Sequence, residues 1–315
     1  MSERDFRIRN AFSNGRDFQP VLLTDWQWSC QLEISTGKFA GELDGFQKTT
    51  IGSGVLAESL PQKLGFKVGA IGTHSSRTIM LEELSTLLDT VPADAGRTDY
   101  LSAIVEQNAL AKQTGANRKI TAQHLTELYA LEPTVPLFRV LRRFWQDDAD
   151  GRPVLALLCS LARDPLLRAT AEPILAMKSG EELSRQKITD AIRAAVGTRM
   201  NDATLDKVVR NVSSSWTQSG HLRGRARKFR QLVRPTPLAT AYALLLGYLE
   251  GQRGGRLFET NWTRVLDSSP SELRTIAAES KRLNGLDLRA AGDVIEIGFT
   301  TVLTSQEIKD SRVAH

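Results

Sequence analysis

The side chains best suited to chemistry in this sequence are cations, amides and a hydroxyl gathered between residues 201 and 234. They are Lys207, Arg210, Asn211, Ser214 and Gln218, followed by Arg223, Arg225, Arg227, Lys228 and Arg230. Their chemistry is recognition. Guanidinium and ammonium groups hold phosphates, and amides and hydroxyls reach base edges in a major groove. Residues 201–234 hold eight basic residues and two acids, Asp202 and Asp206, an excess of six, whereas the whole 315-residue chain carries only +5. The remainder is therefore close to neutral. A clustered excess of this kind is the footprint of a polyanionic partner. The plainer alternative is a solvated basic loop beside an ordinary helical core.

The elements that must position these residues follow from spacing. Ser184 is a good N-cap, and Ile188, Ala191, Ile192, Ala195 and Val196 share one face of a helix that Gly197 ends. Thr198, Arg199 and Met200 make a turn, and Asn201 or Asp202 caps a second helix. Leu205, Val208, Val209, Val212 and Trp216 form the apolar stripe of that helix, which places Lys207, Arg210, Asn211, Ser214 and Gln218 on the opposite side. After Ser219 and Gly220, residues 221–234 read as a strand, a turn near Gly224 to Arg227, and a return strand. Two helices, a tight turn and a basic hairpin in this order predict a winged helix, whose second helix lies in a DNA groove. His221, at the start of the hairpin, is a further candidate phosphate contact.

A second helix pair spans residues 121–145. It has Thr121 as cap, Leu125, Leu128 and Tyr129 inward, and Pro133 and Pro136 at the turn. Arg139, Arg142 and Arg143 lie on its second helix, and Lys112, Arg118 and Lys119 precede its first. It reads either as a second helix-turn-helix or as a plain helical hairpin with a basic face.

Catalytic patterns do not stand out. His74, His124, His221 and His315 show no metal-ligand spacing, and Cys30 and Cys159 are too far apart for a metal or redox motif. Gly52-Ser53-Gly54 lacks the lysine-hydroxyl ending of a phosphate loop and reads as a turn. Asp147-Asp148-Ala149-Asp150-Gly151 has Gln146 where a calcium loop needs its first acid, so it reads as an exposed acidic turn. No catalytic residue, metal or cofactor is called for, although a nuclease site built from distant acids would leave little local trace.

The expected fold class is mainly α: a multi-helix protein with a winged-helix/helix-turn-helix module and a small irregular N-terminal region with some β. Residues 1–75 are Gly-rich, 76–150 form a helical region, 151–250 contain the winged-helix-like part, and 251–315 form a helix-strand segment. Helices are expected after Ser75 or Ser76, after Thr98, after Asp164-Pro165, after Thr236-Pro237 and after the capping box Ser269-Pro270-Ser271-Glu272. Residues 294–299 alternate as a strand that would pair with the hairpin or with the N-terminal region, and the last ten or so residues read as a frayed tail. The first residues lack the apolar run of a secretory signal, and the most apolar segment, 237–249, is shorter than the roughly 20 residues a membrane span needs. With two isolated cysteines, this points to a cytoplasmic protein without a membrane partner.

The helical body resembles a known family. Ser76-Arg77-Thr78-Ile79-Met80-Leu81-Glu82-Glu83-Leu84, then Ile104 through Asn108-Ala109-Leu110-Ala111-Lys112, then Leu155 through Arg168, resemble the helix order of BrxA-like proteins of BREX anti-phage systems. Thr204 to Gly220 fits that family's closing winged-helix region. The resemblance covers about residues 76–250 and rests on helix order; residues 1–75 and those after 251 have no counterpart in it. It implies a non-enzymatic, DNA-binding accessory protein among defence genes, with double-stranded DNA and other defence-system proteins as partners. The alternatives are an RNA-binding or transcription-associated helical protein, and a scaffold whose basic face meets an acidic protein.

Overall fold

Apolar residues at helical spacing, cut at intervals by proline and glycine, make the chain mainly helical in the computed structural model, which describes residues 60–69, 72–291 and 294–313. The Gly-rich stretch up to residue 59, with Cys30 and Gly52-Ser53-Gly54, lies outside the described residues. In order the helices are α1 (Leu60–Leu64), α2 (Leu81–Thr90), α3 (Arg97–Val105), α4 (Gly115–Tyr129), α5 (Pro136–Asp147), α6 (Arg152–Arg163), α7 (Pro165–Ala169), α8 (Ala171–Leu175), α9 (Arg185–Val196), α10 (Asp202–Gln218), α11 (Pro237–Leu249), α12 (Asn261–Arg264), α13 (Pro270–Arg282) and α14 (Ser305–Val313). Two antiparallel hairpins join them: β1 (Leu222–Arg223) with β2 (Phe229–Arg230), and β3 (Asp287–Ala291) with β4 (Val294–Gly298).

The core forms around α6 and α11, the two helices with the longest buried runs. Every residue from Val154 to Arg163 and from Leu238 to Leu249 is buried. α11 packs on α5, α6, α12 and α13, and α10 packs on α6, α7 and α9. The apolar stripe of α10 therefore lands on the same core. Trp216 anchors it, fully buried, with its indole N–H donated to Thr170 Oγ1 at 2.9 Å. Among the described residues no helix is long and apolar enough to cross a membrane.

Several local expectations change. α4 starts at Gly115 with Thr114 as its cap, so Thr121 is a buried mid-helix residue. α2 starts only at Leu81, because residues 73–75 form a separate 3₁₀ turn. The acidic turn after α5 is not wholly exposed. The Asp148 carboxylate is buried and caps α11, accepting the Thr236 hydroxyl at 2.6 Å and the Ala239 N–H at 3.2 Å. β4 pairs with β3, from Asp287↔Gly298 to Ala291↔Val294, and among the described residues it does not pair with the β1–β2 hairpin. The tail is helical as α14, held where Glu307 meets Arg139 and Ser311 meets Arg253.

Candidate nucleic-acid interface

Caps and glycines place the basic cluster. Ser184 Oγ accepts the Lys187 N–H to open α9, and Asn201 Oδ1 accepts the Thr204 N–H at 2.8 Å to open α10. Gly197 ends α9 in the left-handed region at φ +63°. Ile188, Ile192 and Val196 of α9 and Leu205, Val208, Val209, Val212 and Trp216 of α10 are all buried. In the hairpin, Gly224 sits at φ +104°, where a β-carbon would lie 2.1 Å from the Arg227 carbonyl oxygen. Only glycine fits that turn.

Residues 180–183, not anticipated from sequence, run along the outer edge of β2. Gly180 donates to the Arg230 carbonyl at 2.9 Å, Arg230 to that of Glu181 at 2.8 Å, and Leu183 to that of Lys228 at 2.8 Å. The chain thus passes from an edge segment through α9 and α10 into β1 and β2, and the hairpin is fixed to the start of α9.

The polar face of α10 divides into two stripes. Asn211, Ser215 and Gln218 are covered by residues 74–81. Asn211 Nδ2 donates to the His74 carbonyl at 2.9 Å. Gln218 Oε1 accepts the Leu81 N–H at 3.2 Å, and its Nε2 donates to Thr78 Oγ1 at 3.0 Å. Both amides are occupied by the fold, which corrects their assignment as base-reading groups. The other stripe is open: Lys207 and Arg210 are exposed and Ser214 is half-buried.

The hairpin cations divide as well. Arg223 and Arg225 are exposed, and no carboxylate among the described residues pairs with either. Arg227 is exposed but ion-paired with Glu182, a pairing that holds the guanidinium above and the carboxyl below their ordinary pKa values. Lys228 is half-buried and donates to Thr217 Oγ1 at 2.8 Å; burial lowers its pKa. Arg230 is buried completely. It pairs with Asp267, whose side chain is only 6% exposed, and donates to the carbonyls of Gln231 at 2.5 Å and His221 at 3.3 Å. It lies in register with the buried Leu222, on the inner side of the hairpin, and is removed from the candidate contacts. His221 is also internal. Its ring meets Trp216 edge-on, its nitrogens bond Ser219 Oγ at 2.8 Å and the Val265 carbonyl at 2.7 Å, and burial lowers its pKa to about 4.

A groove of about 770 Å³ separates the open stripe of α10 from the hairpin turn. Arg185, Arg210, Arg225, Arg227 and Lys228 line it, with Ser214 and Thr217 on the helix side and Glu182 as its acid. Arg185 is paired to Asp206 at 2.6 Å, so Arg210, Arg225 and Lys228 are the lining cations without a carboxylate among the described residues.

The helix pair at 121–145 offers no comparable surface. Arg139 is held by Glu307 at 2.6 Å, Arg142 is buried against Tyr100 and the Val91 carbonyl, and Arg143 bonds the carbonyls of Thr301 and Asn284. Lys112 pairs with Glu83, and Arg118 donates to the Val105 carbonyl. Lys119 stays exposed with no carboxylate partner among the described residues, but the other five cations join elements together, which favours the helical-hairpin alternative.

A buried polar trio also escaped the sequence. His74 Nδ1 lies 2.9 Å from Asp164 Oδ2, and its Nε2 lies 2.8 Å from Ser215 Oγ. The order is that of a hydrolase triad, yet all three residues are sealed from solvent and Ser215 Oγ also accepts the Ile79 N–H at 3.0 Å. Burial alone would raise the Asp164 pKa. His74 and backbone N–H groups outweigh it and hold the carboxyl below its ordinary value. The trio ties residues 72–81 to α7 and α10. Among the described residues, no group of three or more His, Cys, Asp or Glu side chains is placed to hold a metal. No protein-family model matches the chain, and no curated protein is significantly similar to it.

Proposed function

We propose that residues 180–234 act as a winged-helix module that binds duplex DNA. α10 would enter the major groove with Lys207, Arg210 and Ser214, while Arg223 and Arg225 at the hairpin grip phosphates beside it. The observation that carries this reading is the groove between α10 and the hairpin turn, about 770 Å³ in volume and lined by five cations. Two of those cations rest on exposed acids, Asp206 and Glu182, which an incoming phosphate can displace because exposed pairs are weak. With Asn211 and Gln218 held by the fold, the open stripe keeps cations and one hydroxyl. Binding on these groups is mostly to the backbone, and it discriminates little between sequences. The resemblance of residues 76–250 to BrxA-like proteins supports DNA as the polyanion and an accessory role in phage defence.

The test is fluorescence anisotropy with a labelled two-turn duplex and a structured RNA of equal length, using the wild type and an Arg210→Ala/Arg225→Ala variant. The expected result is duplex binding, tighter than RNA binding, that the double substitution weakens. Equal or tighter RNA binding would favour the RNA reading. A stable protein complex without nucleic-acid binding would favour the scaffold.

A further inference from the structure

We infer that a second pocket, between α3, α5 and the turns at Ala93 and Pro133, binds a small anion carrying a carboxylate or phosphate group. Its volume is about 210 Å³, roughly the liquid share of seven waters. That suits an acid group with a short body and lies below the range of about 300–1,000 Å³ typical of larger ligands. Tyr100 and Phe138, edge to face at 5.2 Å, and Pro133 give it an apolar wall.

Three guanidiniums line this pocket. The charge of Arg139 is met by Glu307 at 2.6 Å. Neither Arg142 nor Arg143 has a carboxylate partner among the described residues. Arg143 gives two of its five N–H donors to the carbonyls of Thr301 and Asn284, at 2.6 and 3.2 Å. Arg142 is only 5% exposed. Its Nε reaches the Tyr100 hydroxyl at 3.2 Å and its Nη2 the Val91 carbonyl at 2.8 Å, while Nη1 has no hydrogen-bond acceptor among the described residues. Buried charges are normally paired and their donors normally satisfied; this guanidinium has no counter-charge among the described residues, and its Nη1 has no acceptor there. The Tyr100 hydroxyl accepts from Arg142 and still has its own proton to donate, which burial helps it keep. Of the acids nearest Tyr100, Asp99 is committed to the Gly96 N–H at 2.8 Å, and Asp94 is exposed on the turn. An oxyanion between Arg142, Arg143 and Tyr100 supplies the missing charge and acceptors together, in charge-assisted hydrogen bonds. None of these residues lines the α10 groove, so this site stands or falls separately from DNA binding.

The test is a titration with inorganic phosphate and, separately, propionate, followed by heteronuclear NMR on the wild type, Ala93→Phe, Arg143→Gln and Arg225→Ala. Ala93 is an exposed residue of the pocket lining, so phenylalanine there occludes the pocket without replacing a buried side chain. Saturable one-to-one binding of either anion is expected. It should weaken by about tenfold or more in Ala93→Phe and Arg143→Gln, as for a lost charged hydrogen bond, and stay unchanged in Arg225→Ala. Phosphate binding alone would identify an oxyanion of phosphorus as the ligand group, and propionate binding alone a carboxylate. The inference is overturned if neither anion saturates, if binding survives Ala93→Phe, or if only Arg225→Ala abolishes it. Should Arg143→Gln fail to fold, the result for Ala93→Phe decides.

Discussion

Arg230 provides the sharpest test of how the basic cluster divides between fold and surface. Its sequence neighbours Arg223, Arg225 and Arg227 are exposed, yet Arg230 is wholly buried, paired with Asp267, and bonded to the carbonyls of His221 and Gln231. Arg230→Ala leaves the Asp267 carboxylate, on a side chain 6% exposed, as a buried charge that keeps, among the described residues, only the Val233 N–H at 3.0 Å as a hydrogen-bond donor. Removing one partner of a buried pair costs about 3–5 kcal/mol. At roughly 2–4 °C per kcal/mol for a chain above about 150 residues, the melting temperature should fall by about 6–20 °C. Arg225→Ala, at an exposed site, should stay within about 0.5 kcal/mol of wild type. Thermal melts by circular dichroism measure both. Arg230→Met combined with Asp267→Asn should recover much of the loss, since no charge is then left unpaired. Asparagine is chosen because Asp267 has φ +52°, a conformation it tolerates. An Arg230→Ala protein that melts like wild type but loses duplex binding would refute the reasoning, and Arg230 would return to the contact surface.

Three further outcomes are expected. Gln218→Ala removes two hydrogen bonds to residues 78–81 and should lower stability by about 1–3 kcal/mol in urea unfolding, with duplex affinity per folded molecule unchanged. Gly224→Ala forces a β-carbon against the Arg227 carbonyl, so it should distort the hairpin turn and weaken duplex binding, with a smaller effect on the melting temperature than Arg230→Ala. His221 has a folded pKa of about 4, below its ordinary 6.5, so the unfolded chain takes up the proton first as pH falls. Its contribution is present above pH 6.5 and lost toward pH 4. The stability gap between wild type and His221→Gln should therefore shrink by about 2–3 kcal/mol between pH 7 and about pH 4.5.

Local grammar made α9, α10 and the hairpin legible. Ser184 caps where expected and Asn201 is the one of two candidate caps that serves, Gly197 ends α9 and Gly224 lies in the hairpin turn, both at positive φ, and the five apolar positions of α10 are all buried. Sequence could not show what covers a polar stripe. Asn211 and Gln218 look the same whether they face water or residues 74–81, and the trio His74, Asp164 and Ser215 joins positions too distant for any spacing rule. Arg230 left no such signal either. A turn over residues 224–227 alone would set Phe229 opposite Leu222 and turn Arg230 outward; the hairpin loops over 224–228, and that one extra residue sets Arg230 opposite the inward Leu222. The start of α4 was misplaced because Gly115 resembles a helix terminator, whereas Thr114 caps there and the helix runs through it.

The central claim is that cations on α10 and the hairpin meet a phosphate backbone. It is tested most directly by the salt dependence of duplex binding. If Lys207, Arg210, Arg223 and Arg225 each neutralise one phosphate, the logarithm of the binding constant should fall with the logarithm of salt at a slope of about −3.6, and Arg210→Ala/Arg225→Ala should bring it to about −1.8. A slope near zero, or one that the double substitution leaves unchanged, would contradict the claim.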